Sequence, residues 1–80
     1  MPPLKQFKRF DVRPLLERGT EPLPTILERI EALEPDHGLF VIAPFLPSPL
    51  IELLAGRGFA SKVEHNPGGM WIIYFWHGTD

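Results

Sequence analysis

The chain has 80 residues, 44% of them hydrophobic, a net charge of −2 and no cysteine. That length holds one domain, residues 1–80 with a core over about 7–77, and a chain so short buries only about 60% of the surface its unfolded form exposes, which leaves little room for an enclosed substrate cavity. The missing thiol excludes disulfides, thiolate metal sites, thiol nucleophiles and persulfide carriage, and the acidic balance opposes nucleic-acid binding, which needs a basic surface to displace counterions.

In chain order, Met1-Pro2-Pro3 is followed by charge rather than by the apolar run of a leader. Phe7 to Val12 predicts a first strand, with Phe10 and Val12 on one face. Its neighbours Lys5, Lys8 and Arg9 form the one basic cluster, which alternation splits between faces, so it reads as a solvated edge. Asp11 to Thr20 is expected to be an irregular connection, because Pro14 and Gly19 discourage regular structure, with Leu15 and Leu16 tucked back onto the core.

Leu23, Ile26, Leu27, Ile30 and Leu33 then recur at helical spacing. Pro22 and Pro24 stand in the first turn, where a missing N–H is harmless, Glu21 favours the positive end of the helix dipole, and Pro35 stops the helix. Leu39 to Ala43 is a continuous apolar run and predicts a central strand. The uncharged stretch from Gly38 to Ile51 is broken by Pro44, Pro47 and Pro49 and is too short to span a bilayer. Within it, Ser48 as N-cap and Pro49 at the first helical position open a second helix, whose apolar stripe is Leu50, Leu53 and Leu54.

Phe59 to His65 alternates, as an edge strand with guarding charges does. Asn66-Pro67-Gly68-Gly69 is a turn into the last strand, Met70 to Trp76, which is apolar on both faces. The predicted order is β-α-β-α-β-β: an α+β, two-layer sandwich with a four-stranded mixed sheet and both helices on one face, because crossovers are right-handed. The other face is then bare, yet the last strand sends Ile72, Tyr74 and Trp76, or their alternates if the register shifts by one, onto it. An exposed apolar patch marks an interface or a ligand surface.

Candidate chemistry is sparse. His65 and His77 are expected near Met70 and Gly58 respectively, roughly 20 Å apart along the hairpin at ~3.3 Å per residue, so they share no metal in one chain. His37 falls in a loop, and no metal site or cofactor is expected. Ser48, Ser61, Thr20, Thr25 and Thr79 lack an adjacent base or a nucleophile-elbow motif, so no catalytic residue is assigned. Asp11 and Arg13, two apart at a strand end, suit a local ion pair; with Glu21 they form the polar candidate for a ligand.

The segments Phe10-Asp11-Val12-Arg13-Pro14, Glu21-Pro22-Leu23-Pro24, Leu39-Phe40-Val41-Ile42-Ala43-Pro44 and Pro49-Leu50 together resemble an uncharacterised bacterial family, domain of unknown function twenty-two forty-nine, similar in fold to the TusA and SirA sulfur carriers. The resemblance runs from about Phe10 to Phe75. Those carriers hold a persulfide on a Cys-Pro-x-Pro cysteine at the first helix start; here Glu21 stands in the cysteine's place, and sulfur carriage does not transfer. The want of a leader and of a bilayer-spanning stretch predicts a cytoplasmic protein, and the resemblance implies an accessory role. The expectation is a non-catalytic protein-interaction module acting through Ile72, Tyr74 and Trp76 with the loop residues Phe45 and Leu46, its partner another protein or a second copy of itself, with no nucleic acid and no membrane. The alternative is a small-ligand or metal-linked accessory protein of redox metabolism, using Arg13, Glu21 and a histidine.

Overall fold

The computed structural model describes residues 1–78, so Thr79 lies outside the described residues. A 3-10 turn at Leu4–Gln6 leads into β1 (Phe7–Asp11), followed by α1 (Arg13–Glu17), α2 (Leu23–Glu31), β2 (Gly38–Ala43), α3 (Ser48–Ala55), β3 (Phe59–His65) and β4 (Trp71–His77). The strands make one sheet in the order β1-β2-β4-β3, with β1 parallel to β2 and β4 antiparallel to both of its neighbours. The two strands that are apolar on both faces, β2 and β4, occupy the centre, and the charged strands β1 and β3 take the edges, where their side chains protect open backbone.

Both long crossover connections lie on one face. Ile26 and Ile30 of α2 and Leu50 and Leu54 of α3 form a single cluster with Phe10, Leu39, Val41, Ala43, Ile73 and Phe75 of the sheet. The result is the two-layer α+β sandwich that the pattern of elements predicts. Among the described residues no helix is long and apolar enough to cross a membrane.

Several boundaries differ from those expected. The connection after β1 is not irregular: Arg13–Glu17 is a short helix. Pro14 falls within its first two positions, where proline is harmless, and the same reasoning that reads Pro22 and Pro24 as helix starters applies to it. Gly19 ends α1 at φ 73°; its N–H donates to the Leu16 carbonyl at 3.0 Å and that of Thr20 to the Leu15 carbonyl at 2.8 Å, a Schellman closure that needs a residue free to enter the left-handed region. Leu15 and Leu16 do pack on the core.

Ser48 is the first residue of α3 rather than its cap; Pro47 holds the cap position and no side chain caps the helix. α2 closes at Ala32, ahead of Pro35, while Leu33 remains buried. β1 ends at Asp11, and the last strand starts at Trp71 and includes His77. The hairpin turn is where it is expected, with the Asn66 N–H donating to the Met70 carbonyl at 2.8 Å, but the ladder is offset by one: His65 pairs with Trp71 and His77 with Phe59.

Candidate functional site

Side chains alternate along each strand, so the burial of Leu39, Val41, Ala43, Ile73 and Phe75 beneath the helices fixes the opposite set on the open face. That set is Phe7, Arg9 and Asp11 from β1, Gly38, Phe40 and Ile42 from β2, Ile72, Tyr74 and Trp76 from β4, and Ala60, Lys62 and Glu64 from β3. Ring contacts agree with the assignment: Phe7 meets Tyr74 edge-on at 5.4 Å and Trp76 at 6.2 Å, and Phe40 lies 5.7 Å from Tyr74. Arg29 of α2 stacks over Phe10 at 4.5 Å on the other side of the sheet.

The register arranges the open face in three rows across the sheet. Phe7, Gly38, Trp76 and Ala60 form the first. Arg9, Phe40, Tyr74 and Lys62 form the second, two aromatics between two cations. Asp11, Ile42, Ile72 and Glu64 form the third, two isoleucines between two carboxylates. Phe40, Ile42, Ile72, Tyr74 and Trp76 are each half-buried. Phe7 is buried because its ring lies across Gly38: a methyl group at residue 38 would collide with that ring and would stand 2.7 Å from the Phe75 carbonyl oxygen.

Two polar contacts border this face. Tyr74 donates its hydroxyl to Glu64 Oε1 at 3.1 Å, and burial followed by the neighbouring carboxylate pushes the phenol pKa up. The Arg13 guanidinium grips Asp11 with Nη2 at 2.6 Å from Oδ2 and Nε at 2.9 Å from Oδ1, and the Arg13 backbone N–H donates to Oδ1 at 3.0 Å. These bonds hold the Asp11 carboxyl down at about 2 against desolvation. Arg13 also points Nη1 at the Met70 sulfur, 3.7 Å away, at the β2 C-terminal end of the face.

Glu21 joins neither Asp11 nor Arg13 in a hydrogen bond or ion pair among the described residues. It lines a different feature, an open groove of about 480 Å³ between the start of α2 and the start of α3. Its walls are apolar, from Leu16, Leu23, Ile26, Phe45 and Leu50, and Glu21 is the one charged residue lining it. The loop pair Phe45 and Leu46 is exposed at 47% and 40%; Phe45 turns into the groove, so the loop and the sheet face present two patches on different sides of the β2 end.

Sequence reasoning missed a third cluster. Glu34, Asp36 and His37 bring one ligand atom each within 4.8 Å of one another in the loop before β2. His37 Nδ1 stands 2.9 Å from Asp36 Oδ1 and 3.5 Å from Glu34 Oε2, and both carboxylates are 76% exposed. A ring nitrogen shared between two solvated carboxylates accounts for this convergence by itself. The spacing Glu-x-Asp-His at a helix end is the signal that could have found it. His65 and His77 sit at opposite ends of the β3–β4 ladder.

A family model described as an uncharacterised conserved protein, DUF2249, matches residues 9–77. Comparison with curated proteins and with solved structures finds no match.

Proposed function

The chain belongs to this uncharacterised conserved family, and from that premise we propose that it is a non-catalytic protein-interaction module of the bacterial cytoplasm, built on a scaffold like that of the TusA and SirA sulfur carriers. The supporting observation is the apolar centre of the open face. Phe40, Ile42, Ile72, Tyr74 and Trp76 lie side by side in two adjacent central strands, and among the described residues no helix covers them. A bare sheet needs only polar outward residues to be stable in water; five large apolar or aromatic ones are in excess of that need and suit a protein surface with an apolar centre. The mixed charges at both borders form the polar rim such interfaces have. Phe45 and Leu46, exposed on the other side of the β2 end, supply a second, separate apolar contact. Carriage of sulfur is not part of this role, because Glu21 has no thiol to load.

The test is the double variant Tyr74→Ser with Trp76→Ser. Both side chains are half-buried and outside the helix-covered core, so the variant keeps its fold by circular dichroism. A protein captured by the wild type is then purified and titrated against both forms. Loss of binding by at least about a hundredfold is expected from two central aromatics. Unchanged binding by the folded variant overturns the assignment of this face.

The groove favours a second reading, a small-ligand accessory protein. Its volume lies in the range of ligand sites, about 300–1,000 Å³, and a lone Glu21 among apolar walls suits a small apolar molecule carrying a cationic group. Native mass spectrometry beside the denatured mass separates the two readings. A non-covalent adduct lost on denaturation and absent from Glu21→Gln supports the ligand; a clean mass counts against it.

A further inference from the structure

The open face carries an order of charge that its apolar content does not require. Across the second row the flanking residues are Arg9 and Lys62, both cations; across the third they are Asp11 and Glu64, both carboxylates. Within each edge strand the alternation follows from an ion pair two residues apart, Arg9–Asp11 at 3.4 Å in β1 and Lys62–Glu64 at 3.9 Å in β3; what those pairs do not require is the same sign at the same level on both strands. Here the signs are uniform along each row and opposite between the rows, and the rows are about 7 Å apart, two residues along a strand.

This order discriminates between ways of laying one copy on another. A two-fold axis running along the strands stacks β1 on the partner's β3. It sets Arg9 on the partner's Lys62 and Asp11 on the partner's Glu64, like on like at every border. A two-fold axis lying across the strands, midway between the two rows, keeps each strand over its own counterpart and exchanges the rows. Arg9 then faces the partner's Asp11, and Lys62 faces the partner's Glu64. Phe40 faces the partner's Ile42, and Tyr74 the partner's Ile72. The first row is carried to the far end of the face, so Trp76 comes over the partner's Met70, a sulfur–aromatic contact, and Phe7 comes toward the partner's Arg13, a cation–aromatic one. Each charged and each aromatic residue of the face meets a complement, and the arrangement is that of two aligned sheets packed face to face, offset by about 30° of twist.

We infer that the partner of the open face is a second copy of this chain, docked sheet on sheet about a two-fold axis that crosses the strands between the Arg9/Lys62 row and the Asp11/Glu64 row. The inference rests on the reading of this face as a docking surface. The contact is isologous, so each border pair occurs twice in the dimer.

Sedimentation of the purified chain over a micromolar to millimolar range tests it, with K62E, E64K and their double variant beside the wild type. In K62E both β3 border residues are acidic, and in E64K both are basic. Each alone places like charge on like charge twice and weakens dimerisation about tenfold. The double variant K62E/E64K restores opposite pairing and recovers the wild-type dimer. An equimolar mixture of K62E and E64K recovers it too, as a heterodimer visible by native mass spectrometry. R9E, which leaves the Tyr74–Glu64 bond untouched, keeps the test sound if E64K fails to fold, and also weakens the dimer about tenfold. A wild type that stays monomeric overturns the second copy as partner and leaves docking of a different protein standing. A dimer indifferent to the charge changes yet lost in Tyr74→Ser/Trp76→Ser overturns the arrangement and retains the face. A dimer that survives both sets overturns the inference and the docking surface together.

Discussion

The two faces of the sheet are nearly equal in apolar content and opposite in fate. Leu39, Val41, Ala43, Ile73 and Phe75 under the helices are each at most 1% exposed, while their strand neighbours Phe40, Ile42, Ile72, Tyr74 and Trp76 remain half-buried. Both sets occupy the same two central strands and differ only in parity. Burial by α2 and α3 stabilises the first set directly, at about 25 cal/mol per Å² of apolar surface removed from water. The second gains part of that only from its own ring contacts. The covered face explains why the chain folds; the open face contains apolar surface that folding alone leaves unused.

Adjacent residues of β4 put that contrast to its hardest test. Phe75 is fully buried and Trp76 is its neighbour on the open side. Phe75→Ala opens a cavity in the core and is expected to cost about 3–5 kcal/mol. For an 80-residue domain of total stability roughly 4–12 kcal/mol that is a large share, and urea titration should show a folded fraction that collapses early. Trp76→Ala removes a larger side chain but forfeits mainly the edge contact with Phe7, about 1 kcal/mol. Equal losses for the two would break the comparison, because the open face would then be a second core.

Gly38 joins the two faces, and its substitution has the next largest effect. The residue sits under the Phe7 ring on the open side, and its backbone adjoins the Phe75 carbonyl of β4. Gly38→Ala forces the ring aside and crowds that carbonyl, with an expected cost of about 1–3 kcal/mol in a thermal melt. Adding Phe7→Ala removes the ring but not the carbonyl at 2.7 Å. The double variant should therefore regain only part of the clash energy, and full recovery would show that the open-face ring alone fixes this position.

Much of this is legible in the sequence itself. The uninterrupted apolar runs put β2 and β4 at the centre, and alternation in the last strand separates Ile72, Tyr74 and Trp76 from Ile73 and Phe75. Helix α1 was obscured because Pro14 and Gly19 look like breakers, although proline at a helix start and glycine just past its end are the usual punctuation of a short helix. The seat of Phe7 over Gly38 and the two charge-bordered rows depend on which residue of one strand stands beside which of another. Register is set by the whole sheet, and a shift of one residue would have reversed every face. The groove at Glu21 likewise forms between two helix starts far apart in the chain, and no local pattern announces it.

The smallest effect concerns the border of the open face rather than its centre. The Asp11 carboxyl, held at about 2 in the folded chain against 3.8 for an ordinary aspartate, binds fewer protons folded than unfolded at pH values between these two. The stability it contributes is thus complete above the ordinary value and disappears as pH falls through the lower one. Arg13 is 43% exposed and water screens the pair, so the contribution is about 1 kcal/mol rather than the whole shift converted at face value. Asp11→Asn keeps one oxygen to accept the Arg13 backbone N–H but puts an amide NH2 where Oδ2 accepts from the Arg13 and Arg9 guanidinium groups, so it removes the charge together with those bonds. Its neutral-pH stability should drop by about that amount, and its acid titration, followed by circular dichroism, should be flatter than that of the wild type from 3.8 down to about 2. Asp11→Ala loses the backbone acceptor as well and should be less stable than Asn at every pH. Should Asn and wild type fall in parallel through that window, the acid sensitivity belongs to another carboxylate, and the border pair contributes order to the open face without contributing stability to the fold.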